Sequence, residues 1–351
     1  MSETSGPPSP GGPLVVVGDV ATDIVCVPRG PWRVGSDTDA AISIRAGGSA
    51  ANTAAWAAFT AWPAGTALTA GTALTAGTAL TAGTDGHSAD VVFTAGMDGH
   101  SADVVFVGRV GSDDAAWHRR VLTDVGVDAQ LVVDDAVATT RLVALIDGVS
   151  GERTMLTDRG AGTRLAPADI DATLVATASW VHLSGYLLFA ASPQATFRHI
   201  VAICREAGVA WSVDPASAGY LVDLGIGEAR HLLTGAAIGF PNAEEALLLA
   251  GHAPDGDIDA AACALTDLWG TVVVKLGAEG AIVAQNGSIA ARAPALAVPV
   301  VIDAVGAGDA FAGGWLAAKL GGASETDCLT RAIRTAAAAL GVIGGRPNRP
   351  G

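Results

Sequence analysis

The stretch Val298-Pro-Val-Val-Ile-Asp303-Ala-Val-Gly306-Ala307-Gly308-Asp309-Ala-Phe-Ala-Gly-Gly-Trp315 decides the reading of this chain. Its apolar run over 298–302 predicts a strand, the glycines a turn, and the Ala/Phe/Trp-rich run a helix. The backbone of Gly306, Ala307 and Gly308 can turn its N–H groups outward, and the helix start adds the positive end of its dipole. A phosphoryl group fits such a turn. Asp309 repels a bound anion, and two roles suit it. It can cap the helix by accepting a backbone N–H, or it can take the proton from an alcohol that attacks phosphorus.

Outward from that turn, Val/Ile-rich runs at 14–17, 104–107, 180–183, 209–213, 237–240, 271–276 and 298–302 alternate with Ala/Leu-rich helical stretches. The alternation predicts an α/β fold around a central, mostly parallel sheet buried on both faces. Residues 20–46 and 134–158 instead carry strand patterns with no helix between them, which predicts a small antiparallel sheet projecting from the main domain.

With 351 residues, 50% of them hydrophobic, the chain can bury one large core or two modest ones. Its formal charge of −15, without a Lys/Arg cluster, argues against nucleic-acid and anionic-membrane partners. No apolar run is long enough for a transmembrane helix. Residues 1–13 are rich in Ser, Pro and Gly and read as a disordered lead-in rather than a signal peptide. Cys26, Cys204, Cys263 and Cys328 fit no metal-binding spacing and read as buried thiols of a cytoplasmic protein.

Residues 64–106 are repetitive. Thr-Ala-Leu-Thr-Ala-Gly occurs three times between 66 and 83, and residues 81–93 match 94–106 at twelve of thirteen positions. Three six-residue units are too few for a solenoid, so a tandem duplication in a tolerant loop is expected, with an insert over about 64–98. Only one Ala-Asp-Val-Val-Phe copy can enter the sheet, and the second, which leads into Gly108, is favoured. His87 and His100 are duplicated passengers rather than metal ligands.

Four further groups carry chemistry. Gly47 and Gly48, before an Ala-rich helix, either close a loop or let a ligand approach while Asn52 offers it a donor and an acceptor. Asp23 can accept from adjacent sugar hydroxyls. Asn242 and Glu245 form either a capping box or, through Glu245, a contact to magnesium-bound water. Lys275 ends a strand beside Gly277 and Gly280, either solvated or facing a phosphate. There is no Gly-x-x-x-x-Gly-Lys-[Ser/Thr] loop and no Gly-x-Gly-x-x-Gly after the first strand.

In order, Asp23, Gly47-Gly48 with Asn52, Asn242-x-x-Glu245, Lys275-x-Gly277 and Asp303-x-x-Gly306-Ala-Gly308-Asp309 resemble the ribokinase-like (PfkB) carbohydrate kinases over residues 14–345. The resemblance implies a three-layer α/β domain with a small β-sheet lid from 20–46 and 134–158, a tail at 346–351, and a homodimer through the lid. It implies phosphoryl transfer from ATP to the hydroxymethyl group of a sugar of the ribose, fructose or 2-keto-3-deoxygluconate class. A nucleoside kinase, or a sugar- or nucleoside-binding regulatory protein without turnover, shares the same scaffold. By the same resemblance Asp309 is the base, and Gly306, Ala307 and Gly308 form the anion hole. Asn242 and Glu245 organise Mg2+, with Glu245 acting through water, and Lys275, Gly277 and Gly280 flank the nucleotide. Asp23, Gly47, Gly48, Asn52 and Arg159 hold the substrate, Arg159 standing where family members acting on sugar acids or fructose place an arginine. Asp303 lies where K+ would bind. The chain departs from the pattern in Ala304 for a threonine, Ala115-Ala-Trp117 where a glycine is common, and Ser49 for the lysine of ribokinases proper; Val213-Asp-Pro-Ala-Ser217 lacks the arginine of sugar-acid kinases, and Arg159 can equally form a lid salt bridge.

Overall fold

A computed structural model describes residues 11–33, 35–60, 80–82, 89–91, 103–146 and 153–347. Most of the lead-in and of the repeat, including His87 and His100, lies outside the described residues, as do 348–351. The chain opens with β1 (Leu14–Val17), β2 (Ala21–Pro28), β3 (Ala40–Gly47) and α1 (Ser49–Phe59). In the repeat, β4 (Leu80–Ala82) pairs with β5 (Ala89–Val91). Then come β6 (Val104–Gly111), α2 (Ala115–Asp124), β7 (Val127–Asp134), β8 (Thr140–Ile146), β9 (Arg153–Asp158), α3 (Ala172–Ala176), β10 (Trp180–Ser184), α4 (Ala191–Ala207) and β11 (Trp211–Asp214). The remainder is α5 (Ala218–Leu224), α6 (Ile226–Leu233), β12 (Ile238–Gly239), α7 (Ala243–Ala250), α8 (Ile258–Leu265), β13 (Thr271–Lys275), β14 (Ala281–Gln285), β15 (Ser288–Ala293), α9 (Ala307–Leu320) and α10 (Glu325–Ala339).

Nine strands form the main sheet in the order β15-β14-β13-β12-β11-β10-β1-β6-β7. From β13 to β7 every pairing is parallel; β14 and β15 extend the edge antiparallel. β1 sits inside the sheet and is buried on both faces, as its uninterrupted Leu-Val-Val-Val requires. Leu14 and Val16 pack on one side with Ala54, Trp315 and Leu316. Val15 and Val17 pack on the other with Phe197, Ile200 and Leu265. Helices on both faces of one sheet make three layers.

The copy of the repeat that enters this sheet, as β6 beside β1, is the second. The strand expected over 298–302 does not form. Pro294 and Pro299 lack the N–H that a ladder needs, so the chain leaves the sheet after β15. Val300 and Val301 are 69% and 56% exposed, and the segment is tied instead by the Ile302 N–H to the Leu340 carbonyl at 2.8 Å.

The second sheet has the order β3-β2-β8-β9. It is not wholly antiparallel as expected: β2 and β8, from separate excursions of the chain, run parallel. Register puts Asp23, Leu142 and Thr157 on one face and Ile24, Val143 and Leu156 on the other. No described helix is long and apolar enough to cross a membrane. All four cysteines are free, but only Cys204 and Cys328 are buried; Cys26 and Cys263 are partly exposed.

Candidate active site

Two helix starts meet at the site. α1 follows Gly48, whose φ of 96° and close approach to Val20, where a Cβ would fall 2.5 Å from its Cα, exclude a side chain. No side chain at that position caps the helix. Asp19 does so from the end of β1: Oδ2 accepts from the Ser49 N–H at 2.7 Å, and Oδ1 from the Ala50 N–H at 3.2 Å and the Ser184 hydroxyl at 2.8 Å. α9 follows Gly306 at φ 78°, where a Cβ would lie 2.5 Å from the Cα of Gly345. The helices pack closely because Gly313 of α9 leaves no room for a Cβ against the Thr53 carbonyl.

That approach delivers Asp309 to α1. Its Oδ1 accepts from the Ser49 hydroxyl at 2.7 Å and its Oδ2 from the Asn52 side-chain N–H at 2.8 Å. It does not cap its own helix. Burial pushes its carboxyl up to about 6, the Asn52 and Ser49 hydrogen bonds pulling the other way. A half-buried carboxylate titrating near neutrality, with its lone pairs directed by two donors, can take a proton from a bound hydroxyl.

Beside it, the Asp23 carboxyl packs under Gly47, where any Cβ would collide with it. Burial pushes Asp23 up to about 7, opposed by the charge of Arg346. Arg346 itself is buried, with Nη2 donating to the Gly47 carbonyl at 2.6 Å and Nε to Asn52 Oδ1 at 3.2 Å. A tail from residue 346 onward is therefore corrected: Arg346 belongs to the packed domain.

Across the cleft, Lys275 at the end of β13 is paired with Asp214 at the end of β11. Burial pulls its ammonium down, but the carboxylates of Asp214 and Glu245 outweigh that and raise its pKa. Asn242 and Glu245 form a reciprocal capping box at the start of α7, with both bonds at 2.9 Å. Glu245 is buried and pushed up to about 7 by that burial and by Asp214. Among the described residues no cluster of three His, Cys, Asp or Glu side chains could hold a metal ion. The Glu245 carboxylate does suit a contact through water to a magnesium ion that keeps most of its hydration.

A cleft of about 570 Å³ brings together Asp23, Gly48, Asn52, Arg159, Asn242, Glu245, Lys275, Gly308 and Asp309. Gly47, Gly277, Gly280, Asp303, Gly306 and Ala307 are not among its lining residues. The Ala307 N–H is turned to the Ala304 carbonyl at 3.4 Å, a long bond, so of the glycine turn only Gly308 faces the cleft. Asp303 accepts from the N–H groups of Val305 and Gly344, each at 3.0 Å, tying the turn to the C-terminal segment. Arg159 makes no salt bridge among the described residues. Its guanidinium lies 4.3 Å from the ring centre of Tyr220, with Tyr186 and Phe189 alongside at 5.5 and 5.6 Å.

Sequence reasoning missed Asp19, Tyr186, Asp214, Tyr220 and Arg346. The Asp19 and Asp214 positions carried a usable signal, each being an acid at the carboxyl end of a parallel strand. The others carried none.

A family model described as pfkB family carbohydrate kinase matches residues 89–350. The chain is 45% identical over 75 residues to the 1-phosphofructokinase of Haloferax volcanii, covering 21% of this chain and 24% of that protein. It is 32% identical over 216 residues to the ATP-dependent ribose-1-phosphate kinase of Halopiger xanaduensis, covering 61% and 66%. Each match thus spans less than two thirds of the relative's length. The adenosine kinase structure from Sinorhizobium meliloti superposes with a TM-score of 0.75 at 22% identity, covering 96% of both chains, and so shares the fold. With the family model spanning most of its length, this chain belongs to the pfkB family of carbohydrate kinases.

Proposed function

We propose that the protein is an ATP-dependent sugar kinase that phosphorylates a hydroxymethyl group. The observation that carries this is Asp309, a carboxylate raised to about 6, held by Ser49 and Asn52 at a helix start beside Gly308 and Lys275. Asp23, Gly48 and Asn52 would hold the sugar hydroxyls, and Arg159 the far end of the substrate. Lys275, with the turn at Gly277 and Gly280, would receive the nucleotide, and Asn242 and Glu245 the magnesium waters. Magnesium, when bound, neutralises phosphate charge. Asp309 takes the hydroxyl proton as the oxygen attacks, Gly308 offers backbone N–H to the transferring group with Gly306 and Ala307 shaping the turn, and Lys275 balances the anion. The small sheet acts as a lid whose Leu142, Met155 and Thr157 cover the sugar and exclude water.

The same reading places the protein in the cytoplasm, with K+ beside Asp303, and makes the lid's outer face a homodimer contact. Its test is ADP release on a panel of ribose, fructose, 2-keto-3-deoxygluconate, adenosine and pseudouridine. Turnover on at least one, cut by roughly 10² or more in Asp309→Asn, supports the reading; silence on all favours a binding protein.

A further inference from the structure

We propose that Arg346 is a positioning residue that fixes the Asn52 amide so that its N–H₂ side, and not its oxygen, faces Asp309. An amide can sit in either of two orientations that differ only in which atom meets which partner. Here the choice is forced. Asn52 Oδ1 accepts from Arg346 Nε at 3.2 Å, while Nδ2 donates to Asp309 Oδ2 at 2.8 Å. Flipped, the amide would set its two hydrogens against a guanidinium that has only donors and its oxygen against a carboxylate that has only lone pairs. In this low-dielectric setting both contacts would be lost at once.

Several features show that Arg346 is built in rather than caught in passing. It is 4% exposed, at the far end of the chain, and its second arm holds the Gly47 carbonyl at 2.6 Å. Its neighbour Gly345 leaves no space for a Cβ against the Asn52 side chain, and the Gly345 carbonyl accepts from Trp56 Nε1 at 2.9 Å. The chain is thereby clamped to α1 immediately before Arg346. Burial pulls Arg346 down to about 10, against the carboxylates of Asp23, Asp19 and Asp309, so it stays charged at neutral pH. One planar fork therefore aims a donor at the base and sets the backbone of the sugar-side glycine pair. An ammonium, a single point, cannot hold both acceptors in that plane.

The inference rests on Asp309 as the base, but its test does not need turnover. The carboxyl carbon of Asp309, assigned by loss of its signal in Asp309→Asn, is titrated by NMR in the unliganded protein. Groups facing it besides Arg346 are Ser49, Asn52, Asp23, Tyr186, Asp214 and Lys275, of which only Asn52 is changed, and only in the double variant below. Arg346→Met should move its midpoint up by roughly half a pH unit or more, because a hydrogen bond and a nearby positive charge that favour the ionised form are weakened. Arg346→Lys should move it in the same direction, and the acid limb of kcat should follow in both.

In an Asn52→Ala background the further change from Arg346→Met should be smaller than in the parent, since the two residues act on Asp309 in series. A midpoint unchanged in whichever Arg346 variant folds overturns the proposal, and so do shifts that simply add. A protein without kinase activity whose Asp309 still titrates as expected leaves Arg346 in place and overturns only the kinase reading.

Discussion

Ser49 Oγ lies 2.7 Å from Asp309 Oδ1, although 260 residues separate them in the chain. The contact joins the first residue of α1 to the first turn of α9, and with the Asn52 bond it occupies one lone pair on each oxygen of the carboxylate and leaves another on each to accept a proton. Asp309→Asn keeps this shape and removes the basic oxygen. Phosphoryl transfer should fall by roughly 10²–10⁴, while sugar binding measured by calorimetry should change less than tenfold.

As the proposed base Asp309 must be ionised to act, so kcat should rise with pH through about 6 and level off above it. Ser49→Ala removes one bond to the ionised form, so the same limb should move to higher pH; a limb that stays put would show that the hydroxyl does not tune the base.

Stability should run the opposite way. Asp23 is raised to about 7, well above its value in an unfolded chain. Its contribution to folding is therefore full below about pH 4 and is lost as pH rises through 7. Buried His118 and His182, held down to about 4, act oppositely but only below about 6.5. Asp23→Asn should accordingly gain Tm relative to the parent between pH 6 and 8. A constant difference across that range would mean that Asp23 stays ionised in the folded protein.

The motif at Asp303 to Asp309 was legible because its glycines, acid and helix lie within a few residues, and the α/β class because buried parallel strands leave plain apolar runs. The run at 298–302 misled for a local reason: two prolines outvote its apolar character once the ladder's donors are counted. Local spacing marks Asn52 only as a ligand of hydroxyls; that its amide also joins Asp309 to Arg346 is visible only in the structure. Ser49 was read only as a replaced lysine. Both partnerships are made by the packing of α1 against α9 and by the return of the chain end, and neither leaves a trace in local spacing. Arg346 follows two glycines and precedes a proline, a pattern that on its own reads as a loose terminus.

Gly313→Ala tests whether helix packing sets the base. Its Cβ would lie 2.7 Å from the Thr53 carbonyl, forcing α9 away from α1. About 1–3 kcal/mol of stability should be lost in chemical denaturation, and kcat should fall although no cleft residue has changed.

Arg159 is stacked on Tyr220 with no acid partner among the described residues, in a cleft whose other cation, Lys275, is paired with Asp214. An anionic group at the far end of the substrate would pair with that guanidinium. Arg159→Met should raise KM for a sugar acid tenfold or more and leave KM for a neutral sugar within about twofold. Equal changes for both would assign the residue to lid packing.

The lid's outer face makes the last prediction. Register places Ile24, Cys26, Ile42 and Ile44 on the side turned from Asp23, joined by Val143, Leu145 and Leu156 from β8 and β9. Ile42 and Ile44 are 66% and 60% exposed and Leu156 is 54% exposed, a contiguous apolar surface of the kind that marks an interface. A second copy of the same face, turned by a two-fold axis, is its simplest complement, because every apolar residue then meets another. Sedimentation should give a dimer for the parent and a monomer for Ile44→Asp, since one carboxylate per copy would be buried close to its mate. A parent that sediments as a monomer at tens of micromolar would leave this face open to solvent and sink the dimer.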